Sequence, residues 1–334
     1  MSGGPAVRLA PAKLNLTLAV LGRRPDGYHA LHSVMVPVGL ADRLSVAPAI
    51  GSDDTLHVDG ADCGPAASNL VLRAIAAARE AVRSEHGPGI GTGALAARLE
   101  KRIPVAAGLA GGSSDAAAAI DAALEAWRTD LTPAGRLAAA SSVGSDVAFF
   151  GAGGWALVEG RGERVERIPS VRGPAPWILL VTPAVALPTP AVFAAWSAGA
   201  RAAGHGAAAA ASRHLADELR AGMTSRALVV RAGILAHAND LMPAAQHVVP
   251  ALVPFRRGLV RTLGTAVGQS GSGPTAWVIY PSLEDADAAA AAVRDALADG
   301  RIVAPGEAPP AVHVAPLVLD GPADHDAGQG GSDT

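Results

Sequence analysis

The sequence predicts an α+β protein with two domains, and three observations support this prediction. The chain has 334 residues, which is about twice the usual length of one domain. Half of the residues are hydrophobic but only 3% are aromatic, and alanine is the most frequent residue, which favours helices packed through small side chains over an all-β sandwich. Segments with strand-like alternation and segments with helical spacing also follow one another along the chain.

The N-terminal domain is expected to span residues 1–170 and to begin with β structure. Its strands are indicated by alternating or apolar segments that end at turn residues or proline, and these segments are residues 7–20, 34–46 and 95–103. Helical spacing begins at Asn69 and again after a glycine-rich segment, where Ile120, Leu124 and Trp127 fall on one helix face. We expect that face to pack against a sheet.

The C-terminal domain is expected to span residues 171–319. A buried strand beginning at Trp177 is followed by helical segments to about Gly264. The remaining predicted elements are strands at 265–270 and 275–280, a helix at 284–297 and a strand at 312–318. The low-complexity segment 201–211 predicts a mobile insertion or a helix extension, and residues 320–334 predict a disordered tail. We expect neither segment to carry chemistry.

Charge and cysteine content exclude several classes of function. The formal net charge is −3 and the basic residues are scattered, which argues against a nucleic-acid or anionic-membrane partner. Cys63 is the only cysteine, so no disulfide framework or cysteine-based zinc site is expected. No apolar stretch is long enough to span a membrane. These observations predict a cytoplasmic protein.

The strongest local motif is the glycine-rich segment PVAAGLAGGSSD at residues 104–115, between a predicted strand and a predicted helix. Its glycines allow a ligand to approach the backbone, and the free N–H groups of the first helical turn attract anions. We therefore predict a phosphate-binding loop, although it lacks the Walker A and dinucleotide-binding spacings. A helix entry with glycines for tight packing remains the alternative. Asp115 argues against phosphate unless its carboxylate points away or reaches a metal ion.

Lysine is rare in this chain, and one of its lysines, Lys13, is a candidate functional residue. Only Lys13 and Lys101 are lysines among the 27 basic residues, and Lys13 lies in an apolar strand, where a charge needs a partner. Asp146, an acid in the apolar segment GSDVAFF, is the candidate partner, whereas Lys101 is expected at the surface. Beside a phosphate-binding loop, Lys13 could stabilise charge while Asp146 orients the attacking hydroxyl or accepts its proton. A lysine directed to solvent and a helix-capping aspartate remain the alternatives.

Two further segments are candidates for substrate binding. Tyr28 and His29 follow a Pro-Asp-Gly turn, and we expect them to recognise a base. The spacing of His29 and His32 alone is weak evidence for a metal ion without cysteines or an acidic cluster nearby, so no metal site is predicted. The segment SGSGPT at residues 270–275 could be a plain hairpin, but its alternating glycines and serines favour the lining of a ligand cleft.

Together these segments resemble the GHMP small-molecule kinases. PAKLNLTL, RPDGYHAL, PVAAGLAGGSSDAA, GSDVAFF, NDL and SGSGPT occur in the family's order and cover about residues 7–318. Within that family the chain is most similar to the branch that acts on 4-diphosphocytidyl-2-C-methyl-D-erythritol. The resemblance implies a two-domain GHMP kinase fold, with an N-terminal ribosomal-protein-S5-like α/β domain and a C-terminal ferredoxin-like α/β domain.

The resemblance also implies an activity. The chain would use ATP, with Mg²⁺ accompanying the nucleotide, to phosphorylate the 2-hydroxyl of 4-diphosphocytidyl-2-C-methyl-D-erythritol in the non-mevalonate isoprenoid pathway. It would act as a monomer or weak homodimer. The alternatives are another GHMP kinase, of the homoserine or mevalonate type, and a non-catalytic nucleotide-binding regulator. Paired stacking faces argue against the first alternative, because those substrates carry no nucleobase, and the pair Lys13 and Asp146 argues against the second.

Individual residues receive roles from the same resemblance. Lys13 and Asp146 match the family's catalytic pair. The residues implied in ATP binding are Asn69, Pro104, Val105, Ala106, Ala107, Gly108, Leu109, Ala110, Gly111, Gly112, Ser113 and Ser114. The residues implied in substrate binding are Asn15, Tyr28, His29, Phe193, Ser270 and Gly271, with Tyr28 and Phe193 as the two stacking faces for the cytosine.

The phosphate-binding loop departs from the family pattern. Ala106, Ala107 and Ala110 stand where glycine is common, and Ala148 stands where the family often has proline. Alanine is tolerated at such positions only if φ stays negative. A positive φ there would be expected to lower ATP affinity.

Overall fold

The computed structural model describes residues 4–87, 90–199 and 206–319. In this part of the chain, two β-sheets and ten α-helices confirm the predicted α+β class. None of the helices described is long and apolar enough to cross a membrane. Residues 201–205 of the predicted insertion and the predicted tail at 320–334 lie outside the described residues.

The first sheet has seven strands arranged around one long strand. The strands are β1 (Ala6–Asn15), β2 (Ala19–Arg23), β3 (His29–Pro48), β4 (Thr55–Asp59), β5 (Leu95–Glu100), β6 (Ala156–Gly160) and β7 (Arg164–Arg167). Strand β3 pairs antiparallel with β1, β2, β5 and β6. The register of β1 on β3 shifts between Pro11 and Ala12. This irregularity immediately precedes Lys13, and such bulges re-aim nearby side chains.

Four helices accompany the first sheet. They are α1 (Leu70–His86), α2 (Gly111–Trp127), α3 (Pro133–Val143) and α4 (Ser145–Ala152). The predicted core face of α2 is confirmed at Ile120 and Leu124, which are buried. Trp127 is only partly buried and donates its indole N–H to the Gly93 carbonyl oxygen at 2.9 Å. A run of buried alanines on α2 allows close contact with α1.

The second sheet has four strands in the order β11-β8-β10-β9. They are β8 (Trp177–Thr182), β9 (Gly268–Gln269), β10 (Ala276–Tyr280) and β11 (Ala311–Pro316). The helices of this part are α5 (Thr189–Gly199), α6 (Ala207–Arg220), α7 (Ser225–Leu235), α8 (Met242–Val248), α9 (Leu252–Leu263) and α10 (Leu283–Ala298). The strand predicted at 265–270 is reduced to two residues. Residues 207–211 form the first turns of α6, as one of the two predictions for that segment proposed.

One buried hydrophobic cluster joins the two sheets, and two further clusters lie mainly with one sheet each. Leu14 and Val36 of the first sheet belong to the same buried cluster as Ile178 and Trp277 of the second. The main chain of Leu18, after β1, also bridges to Asn239, before α8. These contacts fix the end of β1 against the loops of the second sheet, where the candidate site lies.

Candidate active site

A cavity of about 1250 Å³ lies among the ends of β1, the segment before α2, the start of α4, α5 and the loop after β9. Most residues predicted for the site line it. Those that do not are Leu109, Ser114 and Ser270, whose side chains are buried. The structure thus brings together in one space segments that are far apart in the sequence.

The phosphate-binding loop has left-handed backbone at three positions. The φ angles are 55° at Ala106, 79° at Gly108 and 53° at Ala110. Left-handed backbone is costly for a residue that carries a Cβ. The condition that the alanines keep a negative φ is therefore not met at Ala106 and Ala110. Helix α2 begins directly after Ala110, which makes no side-chain cap. The N–H groups of Ser113 and Ser114 donate to the Ala110 carbonyl oxygen, so those of Gly111 and Gly112 remain available to an anion.

The loop after β9 packs directly on the phosphate-binding loop through glycine. A Cβ on Gly273 would clash with the backbone of Ala107 and Gly108, and a Cβ on Gly108 would clash with the Ser270 carbonyl oxygen. The Ser270 hydroxyl donates to the Gly108 carbonyl oxygen at 2.9 Å. Both alternatives raised for SGSGPT are met: the segment is the turn of the antiparallel hairpin of β9 and β10, and its Gly271 and Gly273 also border the cavity.

Asn239 holds the loop after β9 in place. Its side-chain amide donates to the carbonyl oxygens of Gln269 and Gly271, both at 2.9 Å, and its Oδ1 accepts from the Leu241 N–H at 2.9 Å. The residue is buried. Sequence reasoning noted the NDL segment but gave Asn239 no role. The available signal was an Asn-Asp pair between apolar residues.

Lys13 is buried and lines the cavity. Its ammonium donates to Asn15 Oδ1 at 2.6 Å and to the Gly108 carbonyl oxygen at 2.9 Å. Burial lowers the pKa of Lys13, and the nearby Asp146 carboxylate partly opposes that effect. The expected direct ion pair is absent from the described residues, because no carboxylate oxygen lies within 4 Å of the ammonium. The partners of Lys13 are neutral oxygens.

Asp146 lies in the first turn of α4 and borders the same cavity. Gly144 ends α3 and precedes α4, so the chain turns sharply just before the aspartate. The side chain is half-buried. Lys13 and Asp146 therefore face a common space without contacting each other, and a bound ligand could lie between them.

The expectation that Lys101 is a surface residue is wrong. Its side chain is only 3% exposed and forms ion pairs with Asp42 and Asp115. Burial raises the pKa of Asp115 to about 7, although Lys101 opposes the rise. One Asp115 oxygen bonds Lys101 at 2.8 Å, and the other is buried without a hydrogen-bond partner among the described residues. The Asp115 carboxylate thus contacts a cation, so its presence is weaker evidence against phosphate binding.

The opposite end of the cavity is aromatic. The His29 ring stacks on Phe193 with centroids 4.9 Å apart and meets the edge of Trp196 at 5.4 Å. His29 Nε2 lies 2.8 Å from the Ser197 hydroxyl. Burial lowers the pKa of His29, and Arg23 lowers it further, so the imidazole is neutral near pH 7. Because His29 itself covers one face of Phe193, the expected free stacking face is only partly available.

Tyr28 lies beside this aromatic group and is 56% exposed. The Arg161 guanidinium lies over its ring, 5.4 Å from the centroid. The sequence identified Tyr28, His29 and Phe193 as candidates. It did not identify Arg161, Trp196 and Ser197, because a contact between residues far apart in the chain leaves no local pattern.

Among the described residues, no group of three or more His, Cys, Asp or Glu side chains is arranged to hold a metal ion. His32, the second histidine of the His29 spacing, is buried and its Nδ1 lies 2.8 Å from the Ser212 hydroxyl. Asn69 caps α1 by accepting the Val71 N–H at 3.0 Å and borders the cavity.

Comparison with known proteins places these features in one family. Residues 69–154 match the model of the GHMP kinases N terminal domain. The chain is 39% identical over 291 residues to 4-diphosphocytidyl-2-C-methyl-D-erythritol kinase of Pelotomaculum thermopropionicum, covering 86% of this chain and 93% of that one. It is 36% identical over 302 residues to the kinase of the same name from Rhodopseudomonas palustris, covering 89% and 95% of the two chains.

Solved structures show the same fold. A crystal structure of 4-(cytidine 5'-diphospho)-2C-methyl-D-erythritol kinase matches with a TM-score of 0.64 and 31% identity over 93% of this chain and 98% of that one. Homoserine kinase from Cytophaga hutchinsonii matches with a TM-score of 0.67 over 95% of this chain and 96% of that one, but at 16% identity. The second match reports on the fold alone.

Proposed function

Because the chain belongs to the 4-diphosphocytidyl-2-C-methyl-D-erythritol kinase family, and is therefore an ATP-dependent small-molecule kinase, we propose that its acceptor is 4-diphosphocytidyl-2-C-methyl-D-erythritol. The reaction would transfer the γ-phosphoryl group of ATP to the 2-hydroxyl of the methylerythritol unit, one step of the non-mevalonate isoprenoid pathway. The observation that carries this proposal is a single cavity with a phosphate-binding loop at one end and an aromatic group at the other.

The nucleotide is assigned to the end formed by the phosphate-binding loop. The β- and γ-phosphates would lie against the backbone N–H groups at the start of α2, where the helix dipole favours negative charge. Asn69, at the start of α1, would meet the adenine side. The ammonium of Lys13 has three N–H donors, and two of them are used by Asn15 and Gly108. The third is free to donate to a phosphoryl oxygen.

The acceptor is assigned to the aromatic end. Tyr28 would stack on the cytosine, while His29 would offer a hydrogen-bonding edge and Phe193 the second apolar face. This placement directs the methylerythritol unit toward Asn15, Gly271 and Asp146. Asp146 would orient the 2-hydroxyl and take its proton as the new O–P bond forms. A compact ammonium at Lys13 would offset the negative charge on the transferred group.

Mg²⁺ is proposed to enter with the nucleotide. The orphan Oδ1 of Asp115 and the hydroxyl of Ser113 are hard oxygen ligands at the start of α2, of the type that Mg²⁺ takes beside phosphate oxygens. When bound, the ion would neutralise charge on the β- and γ-phosphates.

We also propose that the chain divides into two domains near residue 170. The first sheet ends at Arg167 and the second begins at Trp177. On this proposal the cavity lies where the two domains meet, a common position for small-molecule sites.

The test of the proposed function is turnover with three acceptors. Purified full-length protein is mixed with MgATP and 4-diphosphocytidyl-2-C-methyl-D-erythritol, homoserine or mevalonate, and ADP release is followed together with the mass of the product. We expect a product heavier by one phosphate only with the first acceptor. Turnover with either of the others instead, or ATP binding without turnover of any, would overturn the proposal.

A further inference from the structure

Two arginines at the acceptor end of the cavity have no carboxylate partner among the described residues. Arg23 and Arg161 both line the cavity, and neither forms an ion pair within 4 Å. The acids on the adjoining turns, Asp26 and Glu163, lie 3.1 Å and 3.7 Å from the guanidinium of Arg24. The Asp26 carboxylate also lies within electrostatic range of Arg161. Three guanidinium groups, those of Arg23, Arg24 and Arg161, thus face the two carboxylates, and a net positive charge is left beside the cavity.

Arg161 lies between the aromatic end and the candidate catalytic carboxylate. Its guanidinium covers the Tyr28 ring at 5.4 Å. The next residue, Gly162, has a φ of 114° and packs on Ser145, since an added Cβ would lie 2.9 Å from the Ser145 Cβ. Ser145 directly precedes Asp146. A molecule with its base on Tyr28 and its reacting hydroxyl at Asp146 must therefore pass beside Arg161.

The other cations that line this cavity are already engaged. Lys101 is held by Asp42 and Asp115, and the proposed function assigns Lys13, which is hydrogen-bonded to Gly108, to the phosphoryl group transferred from ATP. The part of the acceptor between its base and its hydroxyl is a diphosphate with two negative charges. Guanidinium groups bind phosphate oxygens through paired, charge-assisted hydrogen bonds.

We propose that Arg161, assisted by Arg23, binds the diphosphate bridge of the acceptor and so selects nucleoside-diphosphate substrates over uncharged nucleosides. This inference rests on the proposed function and adds to it a residue that determines specificity. The stacking on Tyr28 has a second role on this reading, because it holds the guanidinium beside the base site before the ligand arrives.

The experiment compares the binding of cytidine diphosphate and cytidine by calorimetry. Full-length protein is first saturated with a non-hydrolysable ATP analogue, so that neither probe enters the nucleotide end. In the wild type we expect cytidine diphosphate to bind more tightly than cytidine. Arg161→Ala should weaken the diphosphate by about 10- to 100-fold, which corresponds to a lost charged hydrogen bond, and should change cytidine binding much less.

Two further variants serve as controls. Arg161→Lys keeps the charge but loses the paired geometry, so it should recover part of the affinity for cytidine diphosphate. Arg164→Ala removes an exposed arginine on the neighbouring strand whose nearest acid, Glu159, lies 3.8 Å away. It should bind both probes as the wild type does. Equal thermal midpoints for all variants would show that folding is unaffected.

The outcomes separate this inference from the proposed function. Equal losses for both probes in Arg161→Ala would mean that Arg161 only supports Tyr28, and unchanged binding of both would mean that it has no role; either result overturns the inference. A selective loss of diphosphate binding supports it. Turnover of the acceptor by the wild type is measured separately, and its absence would overturn the proposed function without affecting the binding result.

Discussion

The Lys13 ammonium donates a hydrogen bond to the carbonyl oxygen of Gly108 at 2.9 Å. The same carbonyl also accepts from the Ser270 hydroxyl at 2.9 Å. One backbone oxygen therefore joins the first strand, the phosphate-binding loop and the loop after β9. This contact fixes the position of a buried cation relative to the backbone that would hold the nucleotide phosphates.

Lys13→Met should abolish most of the activity while leaving the fold intact. Methionine has nearly the length of the lysine side chain, but it leaves the buried Asn15 Oδ1 without its donor, so we expect a loss of about 1 to 3 kcal/mol in the free energy of unfolding without loss of the fold. Loss of the ammonium removes electrostatic stabilisation of the transferred group, so kcat should fall about 100- to 1000-fold. Steady-state kinetics and thermal unfolding measure the two effects. A folded variant with wild-type kcat would contradict the role given to Lys13.

Ala106→Gly and Ala110→Gly should each stabilise the protein, because the two alanines carry φ angles of 55° and 53°. Relief of left-handed backbone outweighs the added freedom of the unfolded chain, and the gain in the free energy of unfolding should reach about 1 kcal/mol. The KM for ATP should also fall, since glycine adopts the loop conformation without strain. Chemical denaturation and initial rates check both effects.

Two controls separate loop strain from general stability. Arg128 follows α2 with a φ of 55° and does not line the cavity, so Arg128→Gly should stabilise the protein and leave the KM for ATP unchanged. Ala107 is not among the residues with positive φ, and Ala107→Gly should destabilise by about 1 kcal/mol. Loss of stability in Ala106→Gly, as in Ala107→Gly, would mean that the left-handed backbone carries no strain.

The buried Asp115 should make stability depend on pH. Its pKa is raised to about 7 by burial, so between about pH 4 and pH 7 the folded protein keeps a proton that the unfolded chain has released. Stability from this group is therefore present at low pH and lost as pH rises to 7. Between pH 4.5 and pH 7.5 the free energy of unfolding of the wild type should fall, relative to that of Asp115→Asn, by an amount on the order of 1 to 4 kcal/mol.

Urea denaturation of both proteins at these two pH values tests the prediction, because ionisable groups distant from Asp115 contribute equally and cancel in the difference, which therefore reports on Asp115 together with its coupled neighbours Asp42 and Lys101. An identical pH dependence of the two unfolding free energies would show that Asp115 keeps an ordinary pKa beside Lys101.

Tyr28→Ala should act on the acceptor and not on the nucleotide. Base stacking on an aromatic ring contributes about 1 to 3 kcal/mol, so the KM for 4-diphosphocytidyl-2-C-methyl-D-erythritol should rise about tenfold or more while the KM for ATP stays constant. Tyr28→Phe keeps the ring and should remain close to the wild type. If both variants keep the wild-type KM for the acceptor, the base lies elsewhere.

Much of the fold follows from local patterns. The periodicity of residues 95–103 and the apolar spacing of Ile120 and Leu124 are local signals, and the corresponding strand and helix are present as β5 and α2. The glycine-rich segment between them is also recognisable from its own residues. Such signals need no knowledge of the tertiary structure.

The errors and omissions involve partners that are distant in sequence. Lys101 looked like a surface residue because Asp42, which pairs with it, lies 59 positions earlier. Its surroundings become acidic only when β3, which carries Asp42, and α2, which carries Asp115, pack together. In the same way, Arg161 reaches Tyr28 only through the pairing of β3 with β6. Likewise, the loop after β9 packs on Ala107 and Gly108, next to Ala106, and the sequence of the phosphate-binding loop alone does not reveal that contact.

The central claim is that Asp146 acts on the acceptor hydroxyl across the cavity from Lys13, and the kinetics and ATP binding of Asp146→Asn test it most directly. Amide and carboxylate have nearly the same shape, so the dissociation constant for ATP should stay within about threefold of the wild type. The kcat should fall by about 100-fold or more, the usual contribution of a positioned acid or base. A kcat close to that of the wild type, or a loss of activity explained entirely by weaker ATP binding, would contradict the account.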